Sequence, residues 1–265
     1  MSQMKEITLT SWEAFEEELD LDGEMSSRYP SLFRGQRRAT PCSETSKRNW
    51  ALETTLERYG RVKYPVKKYY RAILRAAPAV ETVTGRKWDL STDLSKEDDL
   101  FRAPEGIAFM AFLRQNGFPS PLLDWSRSPF IAAFFAFRED DSNGSDYVAV
   151  FEYVEYTNAG KSLRPKEAAI TRCGPWIGTD KKHFLQQSEY TVCRKKALDG
   201  LDYVSHEDAF ARGEIDQDIL VKYLIPVSER DRVLRKLRHM NINPYSLFES
   251  TESLLKSLKS DVIEP

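Results

Sequence analysis

Three short segments combine residue types that could grip a phosphate-bearing ligand or meet a developing positive charge. The first is Phe33-Arg34-Gly35-Gln36. Arginine offers a planar fork that holds phosphate through two parallel hydrogen bonds, and glycine beside it lets the backbone approach a ligand closely. The second is QNGFPSPLLDWS, residues 115–126, in which a polar Asp124-Trp125-Ser126 step stands between an apolar Leu122-Leu123 pair and an apolar helix. The start of that helix supplies free backbone N–H groups and a field that favours an anion, and Trp125 could stack on a ring. The third is QQSEYTV, residues 186–192, with Glu189 beside Tyr190 in a strand-like run. A carboxylate there could hydrogen-bond a ribose hydroxyl and stabilise positive charge at an anomeric carbon. Each segment also has a plain structural reading. These are a surface arginine at a turn, a corner in which Asp124 satisfies backbone donors and Trp125 is core, and an outward-facing strand acid.

The elements that must position these residues follow from pattern. Glu6–Leu9 reads as a strand, and Thr10-Ser11-Trp12-Glu13 as a capping box opening a helix to about Leu19. Ser31–Gly35 reads as a strand that stops at a turn, and residues 36–49 as a loop. Ala51–Tyr59 and Val62–Ala77 have helical composition, with Pro65 kinking or starting the second. Thr82–Arg102 is polar surface loop. Pro104–Asn116 is a helix stopped by Gly117. Phe118–Asp124, with Pro119 and Pro121, is an extended connector. Ser128-Pro129 opens a helix to about Phe137 that is apolar on every face and therefore buried. Asp140–Asp146 is a turn, Tyr147–Val154 a strand, 158–182 mostly loop, Glu189–Cys193 a short strand and Ile219–Ile225 another. Ser228 caps a helix to about Met240, and Leu247–Lys259 is a last amphipathic helix. The expected fold is α+β, one domain over residues 1–265, with residues 1–30 as a strand–helix extension and 36–103 as a helical, basic insertion between the first two segments.

Composition narrows the function classes. The 265 residues are 41% hydrophobic and 12% aromatic, enough for a sizeable core and against global disorder. The net charge of −2 conceals a split: residues 34–75 carry 12 basic side chains against 3 acids, a local +9 that leaves −11 for the rest. Such a split suggests a polyanionic partner; a solvated basic helix is the alternative. Cys42, Cys173 and Cys193 are few and far apart, and His183, His206 and His239 stand singly, so no metal site is expected. The acidic start of the chain lacks the apolar stretch of a signal peptide. The longest apolar run, Phe130–Phe137, is too short for a membrane span. A cytoplasmic protein without membrane contact is expected.

Taken together, the segments resemble the FRG domain, a bacterial and phage-associated family named for its Phe-Arg-Gly motif. FRGQ stands at 33–36, and the family's QHxGxPTxLLDWT stretch with its small apolar helix appears as QNGFPSPLLDWSRSPFIAAFFAF at 115–137. QQSEY at 186–190 and INPYSLFESTESLL at 242–255 match the later motifs. Asn116, Ser120 and Ser188 replace the usual His, Thr and Gly, which marks a divergent branch.

The resemblance extends, distantly, to ADP-ribosyltransferases, and implies a core of short strands in a split sheet with flanking helices. It implies NAD as substrate, with no metal. Arg34 would hold the phosphate or ribose of NAD, with Gly35 and Gln36 beside it. Asp124, Trp125 and Ser126 would take the second-strand position, and Gln187-Ser188-Glu189 would supply the Gln-x-Glu strand, with Glu189 catalytic and Trp125 or Tyr190 packing on nicotinamide. Many family members lack an acid at the position of Glu189, so its presence argues for activity. Arg37, Arg38, Arg61, Lys67, Lys68 and Arg71 would dock the acceptor, RNA or another nucleic acid. The implied setting is a toxin or antiphage effector restrained by an antitoxin protein. Two alternatives stand beside it: a non-catalytic binder of NAD, ADP-ribose or nucleic acid, and a transferase with a protein acceptor.

Overall fold

A computed structural model describes residues 4–19, 30–39, 52–93, 99–139, 145–155, 167–174, 176–210 and 218–262. In chain order the elements are β1 (Met4–Thr8), α1 (Trp12–Glu18), β2 (Leu32–Gln36), α2 (Thr55–Arg58), β3 (Tyr64–Pro65), α3 (Val66–Thr84), α4 (Ile107–Gln115), β4 (Leu123–Ser126), α5 (Pro129–Phe137) and β5 (Tyr147–Val154). They continue with β6 (Ala168–Arg172), α6 (Lys181–Leu185), β7 (Ser188–Ala197), β8 (Gly200–Tyr203), α7 (Glu207–Phe210), β9 (Ile219–Pro226), α8 (Arg230–His239), α9 (Pro244–Phe248) and α10 (Thr251–Val262). The result is α+β, as expected. One sheet runs in the order β1-β9-β5-β2-β4-β7-β8-β3, with β6 on β7 as well. Thr191 pairs with both Leu123 and Arg172, so β6 and β4 lie on opposite edges of β7. β1 joins β9 in parallel, and Trp12 and Phe15 of α1 are fully buried. The N-terminal strand and helix therefore belong to the core.

The ladders are uneven. β2 pairs with β5 at five positions, and β4 with β7 at four. Between β2 and β4 a single register pair remains, Phe33 with Ser126, so the sheet parts at this point. Gly35 fixes the distance of β2 from the buried helix α5. A Cβ at Gly35 would stand 1.8 Å from the carbonyl oxygen of Ala132, inside any contact distance, so only glycine fits. α5 is held at its start as expected, with Ser128 Oγ accepting from the Ile131 N–H and Pro129 in the first turn.

Side-chain parity sorts the core. One cluster packs α1, α5 and α8 on β5 and β9, through Phe15, Phe134, Val150 and Tyr223 among others. A second packs α3 and α4 on β7 and β8, through Tyr69, Ile73, Phe109 and Val192. The third fills the other face with Leu32, Trp125, Phe151, Tyr153 and Cys193.

Several boundaries differ from the sequence reading. Ser11, not Thr10, caps α1, accepting from the Ala14 N–H. α2 is a single turn, closed by a capping box of Thr54 and Glu57. α3 runs on past Pro78 to Thr84; the ring is exposed, and the buried side of the helix carries it through. Pro104 precedes α4, which begins after a left-handed Gly106. β6 lies inside the stretch read as loop, and β7 extends into a hairpin with β8. Asp124-Trp125-Ser126 lies within β4 itself. No side chain caps α8, which follows a short 3-10 turn that includes Ser228. The last helix is two, α9 and α10, broken where Glu249 turns left-handed at φ 44. The turn expected at Asp140–Asp146 lies outside the described residues except for its last two positions, and Cys42 and most of the expected 36–49 loop lie outside them too.

Candidate functional site: a basic cleft where the sheet parts

The parting of β2 from β4 opens a cleft of about 790 Å³, roofed by the ends of α2, α4, α5 and α6. Seven basic side chains line it, Arg34, Arg37, Arg38, Arg58, Arg114, Arg138 and Lys182, against three acids, Glu53, Asp124 and Glu139. Some of this charge is neutralised locally. Arg37 and Arg138 both pair with Glu139, and Arg114 donates to Asp124 Oδ2 at 2.5 Å.

Arg34 is not neutralised in this way. Register places it on the same face as Trp125 and Glu189, because Phe33 pairs with Ser126 and Trp125 with Glu189. With no ladder beyond Phe33, its guanidinium lies in the gap, where Nη1 donates to the main-chain oxygen of Asp124 at 2.8 Å. It makes no ion pair within 4 Å among the described residues, and its Nε is buried with no hydrogen-bond partner there. Burial is the first cause that pushes its pKa down, to about 10; Asp124 opposes this, while Arg114 and Arg58 push the same way. Arg58 is likewise lowered by burial and by Arg114. Three guanidinium groups thus converge around Asp124, with Glu53 and Glu57 also acting on Arg58. Like charges held together with fewer acids than cations favour an anion.

The other candidates fall into place around them. Asp124, Trp125, Ser126, Gly35 and Gln36 line the cleft. Trp125 is only 3% exposed and donates through Nε1 to Thr191 Oγ1 at 2.8 Å, so core packing takes most of its ring. Ser126 Oγ donates to the Gln186 carbonyl at 2.8 Å and accepts from the Ser128 N–H, tying the start of β7 to the start of α5. Tyr190 lines the cleft, accepts from Gln115 Nε2 at 2.8 Å and stacks on His183.

Glu189 and Gln187 are not brought to the cleft. Ser188 and Tyr190 line it, and Glu189 between them turns the other way, as strand alternation requires. Its carboxylate is fully buried and held from two sides by one guanidinium: Arg172 Nε donates to Oε2 at 2.5 Å and Nη2 to Oε1 at 2.8 Å. Gln187 is exposed in the turn before β7, with φ 47, and it is Gln186 that faces the cleft. Of the acceptor-docking candidates, Arg37 and Arg38 line the cleft, Arg61, Lys68 and Arg71 are exposed outside it, and Lys67 is half-buried.

Sequence reasoning missed Arg114, Gln115 as a cleft group, Gln186 and Ser188 as the inward pair, and Arg58 as more than part of a charge count. Arg114 directly precedes the quoted Gln115–Ser126 run, and its place in the last turn of the helix that leads into that run was the available signal. Among the described residues no group of three or more His, Cys, Asp or Glu side chains could hold a metal ion, and no helix is long and apolar enough to cross a membrane.

The fold and the cleft define an α+β protein with a cationic site at a parted sheet. A family model, the FRG domain, matches residues 30–145, a stretch that includes β2, β4 and α5. No curated protein and no solved structure matches the chain.

Proposed function

We propose that the cleft binds the diphosphate of a nucleotide of the NAD and ADP-ribose type. The convergence of Arg34, Arg58 and Arg114 around Asp124, in a cleft whose lining holds seven basic side chains against three acids, carries this reading. A diphosphate supplies the missing negative charge and accepts fork-like hydrogen bonds from guanidinium groups. Gln36, Gln115, Ser126 and Gln186 stand around the same space as polar partners for ribose or amide groups. Titration of the protein with ADP-ribose and NAD tests it. Saturable binding that Arg34→Ala weakens strongly is expected. Absence of binding at ligand concentrations of about 1 mM, or affinity indifferent to Arg34→Ala, would sink the reading.

A second reading is transfer of ADP-ribose from NAD. It draws support from the three motif strands β2, β4 and β7 being neighbours around one cleft. Glu189 lies outside this cleft; of the acids that line it, Glu53, Asp124 and Glu139, only Asp124 stands on one of these strands, and it is the carboxylate proposed for such a reaction. Labelled NAD mixed with cellular RNA and with lysate separates the two readings. Transfer to RNA, lost in Asp124→Asn and kept in Glu189→Gln at a temperature where both are folded, supports the enzyme. Binding without transfer to any acceptor leaves the binder. Growth arrest on expression, relieved by Arg34→Ala, would fit a toxin; a harmless wild type would remove that setting.

A further inference from the structure

A second basic feature lies outside the cleft. Arg58 and Arg61 flank the end of α2, and Lys68, Arg71 and Arg75 stand on α3; all five are exposed. None of them forms an ion pair among the described residues. At ~100° per residue, the three on α3 fall within about 60° of the helix circumference, over a rise of roughly 10 Å. The one acid of α3 is Glu81, near its far end, where Lys87 holds it at 2.7 Å. Glu57 is turned inward as a helix cap. The exposed face is therefore of one sign.

That face has three further properties. Its apolar side, Val66, Tyr69, Tyr70, Ile73 and Ala77, is buried in the core. No apolar stripe is left to enter a bilayer, as a membrane-surface helix requires. Tyr59 is 72% exposed and follows Arg58 directly, which sets an aromatic face among the cations. Arg58 belongs both to this row and to the cleft lining, so the row starts where the cleft opens. A row of unpaired cations with an exposed ring matches the needs of a single strand, whose phosphates are neutralised while a base stacks. An acidic protein would make no use of the ring.

We infer that the surface from Arg58 and Tyr59 along Lys68, Arg71 and Arg75 binds the backbone of a single-stranded nucleic acid. That the end of the strand points into the cleft rests on the nucleotide reading given above; backbone binding on α3 does not.

The test uses the full chain and fluorescent 15-nucleotide single strands of RNA and of DNA, with anisotropy as the readout. All three variants below are checked for wild-type helix content and melting. Binding of one or both strands is expected at low salt, weakened at least tenfold in Lys68→Glu/Arg71→Glu/Arg75→Glu. The slope of log Kd against log salt should fall by about 2, near ~0.7 per lost phosphate contact. Tyr59→Ala should cost about tenfold. ADP-ribose affinity should not change in the triple variant, while Arg34→Ala should lose ADP-ribose and keep the strand. Loss of ADP-ribose binding in the wild type with the strand still bound would remove the cleft reading and leave this one standing. No strand binding at about 50 mM salt, equal binding by the triple variant, or displacement by polyglutamate at equal charge would overturn it. The last of these would mark an acidic protein as the partner.

Discussion

Two arginines near β7 are buried beside carboxylates, yet they end in opposite states. Arg172 gives Glu189 both of its forked donors, adds Nη1 to the Pro30 carbonyl at 2.8 Å, and lies almost wholly inside. Its charge is matched atom for atom. Arg34 meets a carbonyl oxygen rather than a carboxylate, and the nearest acid, Asp124, is already engaged by Arg114. A matched buried pair holds a fold in one arrangement and offers nothing to a ligand, because every donor is taken. An unmatched cation in an open cleft is costly to the fold and free to act. Charge balance, rather than the presence of an arginine or a glutamate, separates the structural pair from the candidate site.

The largest expected effect breaks the matched pair. Glu189→Ala takes from the buried Arg172 guanidinium the carboxylate that matches its charge, and should lower stability by about 3–5 kcal/mol, read by denaturant unfolding. Replacing both residues, Arg172→Met with Glu189→Leu, should recover most of the loss. At a temperature where Glu189→Ala is folded, ADP-ribose affinity should stay within about twofold of wild type, well under 1 kcal/mol. A Glu189→Ala protein of normal stability that has lost binding or transfer would reverse the comparison and restore Glu189 to the site.

Arg34→Ala should do the opposite. Loss of charge-assisted hydrogen bonds to a diphosphate is worth about 1.5–3 kcal/mol, or roughly ten- to a hundredfold in affinity by calorimetry. Unfolding stability should change little, since the substitution also removes an unmatched cation. A smaller loss, about threefold to tenfold, is expected for Arg58→Ala, which is more exposed and therefore more screened.

The smallest effect sharpens the contrast through pH. Burial and the neighbouring arginines push Arg34 down to about 10. Anion binding needs its charged form, so affinity should be level to about pH 9 and fall as pH rises through about 10. A bound diphosphate favours the charged form and moves the loss to higher pH. An affinity that declines between pH 6 and 8 instead would point to another group.

Much of the molecule was legible in advance because it rests on local rules. α5 followed from Ser128, Pro129 and an unbroken apolar run, and Tyr147–Val154 coincides with β5. Phe33–Gln36 and Asp124–Ser126, singled out by glycine beside arginine and by a polar step between apolar runs, both line the cleft. The hairpin β7–β8 and the strand β6 were not legible, because Ala168–Arg172 is a short run whose burial comes from pairing with distant residues. Gln-x-Glu at 187–189 was misleading in a particular way. The letters match a catalytic strand, but the facing of a strand residue depends on where the turn before it ends, and Gln187 spends one residue in a left-handed turn. That offset turns Gln186 and Ser188 inward and Glu189 away.

The sequence by itself determined the types of many elements, the apolar helix α5 and the concentration of positive charge in residues 34–75. Those follow from backbone sterics, periodicity and charge count, each fixed within a few residues. Only the tertiary structure decided which charges meet. Arg172 and Glu189 are brought together by the ladder of β6 on β7, and Arg34, Arg58 and Arg114 by the parting of β2 from β4. Ionic interactions reach across elements distant in sequence, and burial sets their strength, so no reading of the chain in order could have told the matched arginine from the unmatched one.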